Sequence, residues 1–248
     1  LGIAVKGYQE RHQLPVTGIV DAAMWASLSA DGEYLLSSYT ITALDVKDEL
    51  VKIPDDPQER AKLKRLGYET AVERFAEKFH LSEKLLSELN PGKKFDVAGE
   101  EILVPRLKTV AAARAAKVVV SKSKRTVTAL ATDGSVVAQY PATMGGPHDP
   151  LPIGSWKVTV VQPNPVFYYN SDRFWNAKEE AKVQMAPGPN NPAGTAWIGL
   201  SKPHYGIHGG PEPGTVRRSE SYGCIRLTNW DAADLAKRVR SGMPAILE

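Results

Sequence analysis

The stretch YGIHGGPEPGTVRRSESYGCIRLTNWDA, residues 205–232, holds the chain's single cysteine, Cys224, and a histidine, His208, sixteen positions before it. YGIHG reads as a short strand that runs straight into two glycines, Gly209 and Gly210. Thr228 with Asp231 marks a capping box that opens a helix over NWDAADLAKRV, and Gly242 ends it. A thiol attacks a carbonyl as thiolate, so it needs a base or positive charge beside it. His208 supplies the base. Arg217, Arg218 and Arg226 supply charge that favours thiolate and can hold a carboxylate. Gly223 lets the backbone approach a ligand closely and can turn N–H groups toward a developing oxyanion. Thiol, imidazole, amide donors and arginines are together what acyl transfer requires.

Other uses of these residues are weaker. One cysteine cannot close an internal disulfide, and a lone one otherwise packs as a small hydrophobe. His204 and His208 sit at i, i+4, but PHYGIH favours a strand, where such side chains stand roughly 13 Å apart, too far for one ion. MGGPHDP, residues 144–150, follows no dinucleotide-binding pattern. No metal and no organic cofactor is expected.

Outward from this stretch, the pattern is β from residue 117. KVVVSKS, RTVTALAT and SVVAQYPA are β-branched runs divided by KSKR and the hairpin dipeptide DG, and GSWKVTVV, TAWIGL and a final PAILE continue the series. Residues 162–194, rich in Pro, Asn, Tyr and Phe, read as a long loop or lid. The expectation is a sandwich or barrel-like domain with one late helix. Alanine-rich LKTVAAARAAK, 107–117, reads as a linker or short helix.

Ahead of it, 38–107 form a second unit. YTITALDV alternates like a strand, and Asp56, Pro57 and Gly67 bracket a short charged helix. Val72, Phe75, Ala76 and Phe79 recur at helical spacing, Ser82 caps a further helix carrying Leu85, Leu86 and Leu89, and EEILVP closes with a strand. Residues 2–29 read as two short helices broken at LPVTG, with Asp21 capping the second.

With 248 residues, 42% hydrophobic and 24% charged, the chain fits a multidomain α+β protein. A net charge of +3 suits an acidic polymer but falls short of a nucleic-acid footprint, so no nucleic-acid partner is expected. No apolar run is long enough to span a membrane. LGIAVKGYQE begins inside a helical pattern, so a processed or truncated chain without its leader is expected.

YGIHG followed by SYGCIRL resembles the signature of the bacterial L,D-transpeptidase catalytic domain, the YkuD type. PLPIGSWKV and PGPNNPAGTAWIGL resemble that family's strand and loop leading into the site, and the resemblance spans about 116–248. It implies that Cys224 is the nucleophile, His208 its base, Gly223 and Cys224 the oxyanion amides, and Arg226 the arginine of the motif. Ser221, Tyr222, Gly209 and Tyr205 would line the substrate. Tyr222 departs from the family, which usually has a second histidine there. The implied reaction is acylation of Cys224 by a peptidoglycan stem tetrapeptide with loss of D-alanine. Transfer to an acceptor amine on a second stem, or on a wall-anchored protein, would follow. Alternatives are a carboxypeptidase or endopeptidase that uses water, and a non-catalytic wall-binding protein. Carbapenem sensitivity, a part in cell-shape maintenance, and a place in the periplasm or cell wall follow from the family.

Two further resemblances point the same way. Residues 1–34 resemble the back half of the small helical peptidoglycan-binding domain. Residues 38–107 resemble a LysM module, which grips glycan strands through a strand–helix–helix–strand unit. Here it carries a charged insertion at 47–67.

Overall fold

The computed structural model describes residues 2–30, 35–107, 111–173, 181–221 and 223–248. The chain opens with α1 (Gly2–Arg11) and α2 (Ala22–Ala30). The Asp21 carboxylate accepts the Met24 N–H at 2.8 Å, the expected cap. The break between the helices is organised by Gln9, whose fully buried amide bonds Ile19 O and Gly18 N at 2.9 Å each.

The second unit pairs β1 (Leu36–Thr40) antiparallel with β2 (Glu101–Pro105), after α3 (Pro57–Ala61), α4 (Ala71–Lys78) and α5 (Glu83–Leu89) have intervened. Phe75, Leu86, Ile102 and Phe95 fill the space between helices and strands. Thr70 and Ser82 cap α4 and α5 through Glu73 N and Leu85 N. Two readings of the sequence need correction. The first strand stops at Thr40 instead of running through Val46. The Asp45 carboxylate takes both the N–H and hydroxyl of Thr42, and this local turn wins over the ladder. α3 ends at Ala61 and does not reach Gly67, because Leu66 donates its N–H to Pro187 O, 3.1 Å away in another part of the chain.

Residues 111–116 form no helix. Ala115 and Ala116 donate to Arg238 O and Leu130 O, which stitches this stretch to the β domain that follows. Residues 108–110 of the expected linker lie outside the described residues.

The β domain contains β3 (Lys117–Ser121), β4 (Thr126–Leu130), β5 (Val136–Pro141) and β6 (Gly154–Pro163). It continues with β7 (Phe167–Asn170), β8 (Lys182–Met185), β9 (Ala196–Leu200), β10 (Gly206–His208), β11 (Ile225–Arg226), α6 (Asn229–Arg238) and β12 (Pro244–Leu247). Eight of these strands form one sheet in the order β11-β10-β9-β6-β12-β3-β4-β5. The chain leaving β5 then bridges back to the opposite edge, Thr143 to Arg226 and Gly145 to Ser221, so the sheet curls into a barrel-like wall. The stretch 162–194 is not wholly loop: β7 and β8 pair antiparallel, with Phe167 opposite Met185. Part of it, 174–180, lies outside the described residues. α6 covers the sheet with Ala232 and Leu235, both fully buried, and Thr228 accepts the Asp231 N–H at 3.2 Å. It ends before Val239, which turns extended to bury its side chain in the core. Gly242, expected to end the helix, instead makes the left-handed turn (φ +84°) into β12.

The second unit is docked on the β domain through polar groups. Leu66 and Gly67, in the charged insertion, accept the backbone and side-chain N–H of Asn190. A side chain on Gly188 would strike Leu66 O at 2.0 Å. His80 stacks on Trp230 with ring centroids 5.2 Å apart. Deepest in the interface, the Glu77 carboxylate accepts the Asn229 side-chain N–H at 2.8 and 3.1 Å.

Burial, reinforced by neighbouring Glu73, raises the Glu77 carboxyl to about 7, against the opposing pull of the Asn229 hydrogen bond. The sign of its contribution follows. Between the ordinary carboxylate value and about 7 the folded chain keeps a proton that the unfolded chain has released. Stability therefore falls as pH rises through that window, by about 3 kcal/mol at most. Urea unfolding of wild type and Glu77→Gln at pH 5 and pH 8 checks this. The wild type is expected to lose stability relative to the variant at the higher pH, and parallel behaviour of the two would refute it.

Candidate active site

β10 and β11 run parallel, Ile207 opposite Ile225 and His208 opposite Arg226. Ile207 and Ile225 are fully buried in the barrel core. Strand alternation therefore turns His208 and its neighbour Arg226 to the other face, together with Cys224, which immediately precedes β11. On β10's other side His208 pairs with Trp197, whose indole stacks on the imidazole at 5.4 Å. Gly206 makes room for that indole, since a Cβ there would lie 2.6 Å from Trp197 Cζ2.

His208 Nδ1 lies 2.5 Å from Gly209 O. A carbonyl only accepts, so the proton belongs on Nδ1, and Nε2 keeps its lone pair free. Burial, opposed by this hydrogen bond and helped by the charge of Arg226, lowers the imidazole to about 4. It is therefore neutral at pH 7. Cys224 is partly exposed, yet the protein crowds its sulfur, and burial pushes the thiol above its ordinary value while a Gly206 N–H pulls the other way. This corrects the expectation that nearby arginines poise a thiolate. Arg226 acts on the imidazole, and neither Arg217 nor Arg218 shifts the thiol.

Gly223 has φ +84°, and a Cβ on it would meet the Tyr205 ring at 2.8 Å. Gly223→Ala thus combines backbone strain with a clash and is expected to cost about 1–3 kcal/mol of stability. It should also displace Cys224 and slow its acylation by at least about tenfold. Unfolding midpoints and β-lactam labelling rates on one preparation check both, and a variant that labels at the wild-type rate refutes it.

The other sequence-predicted residues gather here. Ser221 bridges to Gly145 and gives its hydroxyl to the Cys224 carbonyl. Tyr205 packs on Gly223, and its phenol is pushed up by burial and then by Asp149 and Cys224. Arg226 donates to the Ser219 hydroxyl. Gly209 spends its carbonyl on His208 and its N–H on Ala196 O. Tyr222 lies outside the described residues. Among the described residues no three His, Cys, Asp or Glu side chains are grouped to hold a metal ion.

Sequence reasoning missed Trp197 and Asn229. The indole had a local signal in the strand TAWIGL, whose alternation places it beside the histidine strand. Asn229 had none. Its Oδ1 accepts N–H groups from Thr195 and Gly210 at 3.1 Å each, while its Nδ2 reaches Glu77. It ties the turn behind His208 to the second unit.

Comparison with known proteins gives this arrangement a family. Residues 115–247 match the L,D-transpeptidase catalytic domain family, YkuD, and residues 3–28 match a provisionally assigned peptidoglycan-binding domain. A Bacillus licheniformis protein provisionally named L,D-transpeptidase YkuD is 29% identical over 173 residues, 69% of this chain and 89% of the relative. Its Bacillus subtilis namesake is 29% identical over 165 residues, 66% of this chain and 85% of the relative. A solved L,D-transpeptidase from Mycobacterium smegmatis aligns at 24% identity and a TM-score of 0.43, over 53% of this chain and 58% of that one. The family match covers more than half of the chain and includes every described residue of the β10–β11 site: the chain belongs to the YkuD family of L,D-transpeptidase enzymes.

Proposed function

We propose that the chain forms peptidoglycan cross-links through a Cys224 thioester. What supports this is the β10–β11 pairing, whose alternation turns the one thiol and a neutral, backbone-oriented imidazole away from the same core. The substrate is a stem tetrapeptide. His208 Nε2 takes the thiol proton as Sγ attacks the carbonyl carbon of the third residue. Gly223 and Cys224 turn their N–H groups to the oxyanion. Collapse breaks the amide, and His208 returns the proton to the departing D-alanine nitrogen, leaving a thioester. An acceptor amine then attacks the thioester, loses a proton to His208, and regenerates the thiol.

The resting pair is thiol plus imidazole rather than thiolate plus imidazolium, so proton transfer accompanies attack. Activity is then lost on the acid side only as pH falls through about 4, where His208 becomes protonated. A pH series of Cys224 acylation rates tests this, and an acid limb near 6.5 would contradict it.

Residues 3–28 and the strand–helix–helix–strand unit of 38–107 serve to hold the enzyme on its polymer, the latter as a LysM-type module, so local concentration substitutes for tight peptide binding. We place the enzyme outside the cytoplasm, where that polymer lies. Among the described residues no helix is long and apolar enough to cross a membrane. Incubating the protein with a stem tetrapeptide, with and without an acceptor amine, tests the reading by mass spectrometry. D-alanine release with a tripeptide–amine product supports it. Tripeptide alone in both arms assigns the hydrolase instead, and no release in either arm overturns the proposal.

A further inference from the structure

A cavity of about 410 Å³ opens beside the thiol-bearing segment, lined by Lys122, Arg125, Arg217 and Glu220, with the backbone of Met144–Gly146 as its wall. That wall is bonded to the catalytic segment on both sides of Cys224. Met144 O accepts the Ser221 N–H, and Thr143 and Arg226 exchange both backbone hydrogen bonds at 2.9 Å. Gly145 packs so closely that a Cβ on it would lie 2.9 Å from the Cα of Gly223. A peptide whose carbonyl sits at Cys224 therefore reaches this cavity within a few residues, at about 3.3 Å each.

The lining brings three cations to one carboxylate, and among the described residues none of Lys122, Arg125 or Arg217 takes part in an ion pair. Arg217 is held with unusual care for an unpaired residue. Its N–H donates to Thr143 Oγ1 at 2.7 Å, its carbonyl accepts Arg125 Nη1 at 2.8 Å, and its backbone is kept at φ +69°. Its Nε is nevertheless buried without a hydrogen-bond partner. A guanidinium nitrogen taken from water and left unpaired costs free energy, and a planar carboxylate is the group that satisfies a guanidinium edge best.

We propose that this cavity is a carboxylate subsite, in which Arg217, assisted by Lys122 and Arg125, grips a free carboxylate of the acyl-donor peptide a few residues from the bond broken at Cys224. The inference rests on the acyl-transfer reading above and adds a charge requirement to it: the enzyme selects donors by an acidic group that takes no part in the chemistry.

The test compares two donor peptides that differ only in that carboxylate, one free and one converted to the carboxamide. Acylation of Cys224 is followed by intact-protein mass. Wild type is expected to use the carboxylate donor with kcat/KM about tenfold higher. In Arg217→Gln that ratio falls toward one, and in Arg217→Glu it inverts. A variant that merely folds badly would lower both rates and leave the ratio alone, and β-lactam labelling of Cys224 on the same samples reports folded protein independently. Equal use of the two donors by wild type overturns the subsite, as does a ratio that survives Arg217→Glu. If β-lactam labels Cys224 and donors acylate it without charge preference, only the subsite fails. If neither donor acylates Cys224 in wild type, the acyl-transfer reading falls and the subsite with it.

Discussion

Cys224→Ala is expected to form no cross-link and to carry no covalent β-lactam adduct, with turnover reduced by about a millionfold, the scale of losing a nucleophile that acts as a unit with its base. The reason is local. Cys224 is the only thiol in the chain, so no second sulfur can substitute. Its Sγ bonds His204 O weakly at 3.6 Å and takes the Gly206 N–H, neutral contacts whose loss removes little that holds the fold. The variant should therefore unfold at nearly the wild-type denaturant concentration while being chemically silent. Intact mass after exposure to a carbapenem is the measurement, and an adduct on the alanine variant would remove Cys224 from the mechanism.

His208→Ala comes next in size, with an expected fall of about 100- to 10,000-fold in acylation. The loss should also change the shape of the pH profile. In the proposed mechanism wild type begins from a neutral thiol and passes its proton to Nε2. Without the imidazole only preformed thiolate can react, so the rate should climb about tenfold per pH unit until the raised thiol ionises. His208→Gln should not rescue the rate, because an amide can bond the Gly209 carbonyl but cannot take a proton. A variant with a near-normal rate and an unaltered profile would place the base elsewhere.

The sequence pattern that proposes both residues is short-range. A strand, two glycines and a Gly-Cys pair lie within a few dozen residues, and the alternation of YGIHG already puts the histidine opposite the core side. The β strands were likewise visible in their β-branched runs. What failed did so where side chains compete with regular structure or where distant segments meet. Asp45 folds back on Thr42 and ends a strand that alternation alone would prolong. Val239 leaves its helix to reach the core, a choice that depends on the sheet beneath it. The poise of the thiol was misjudged for a related reason. Sequence shows how many arginines are near in the chain, but burial decides which way the sulfur's proton equilibrium moves. Asn229 and Glu77 are an ordinary helix-start asparagine and an ordinary helix glutamate until the two units come together.

The place of β12 in the sheet has a bearing on biosynthesis. It lies between β6 and β3, so four of the sheet's strands stand on one side of it and three on the other. A nascent polypeptide that has not yet released residues 244–247 has no strand to join those two groups. Without that junction, the Met144–Gly146 wall is not held against the segment around Cys224. The far seam cannot compensate, since it consists of isolated bridges at Thr143 and Gly145. Such long-range pairings form late in folding. The thiol therefore passes through translation as an ordinary cysteine, and it gains its surroundings in the barrel wall only after the central strand has been delivered.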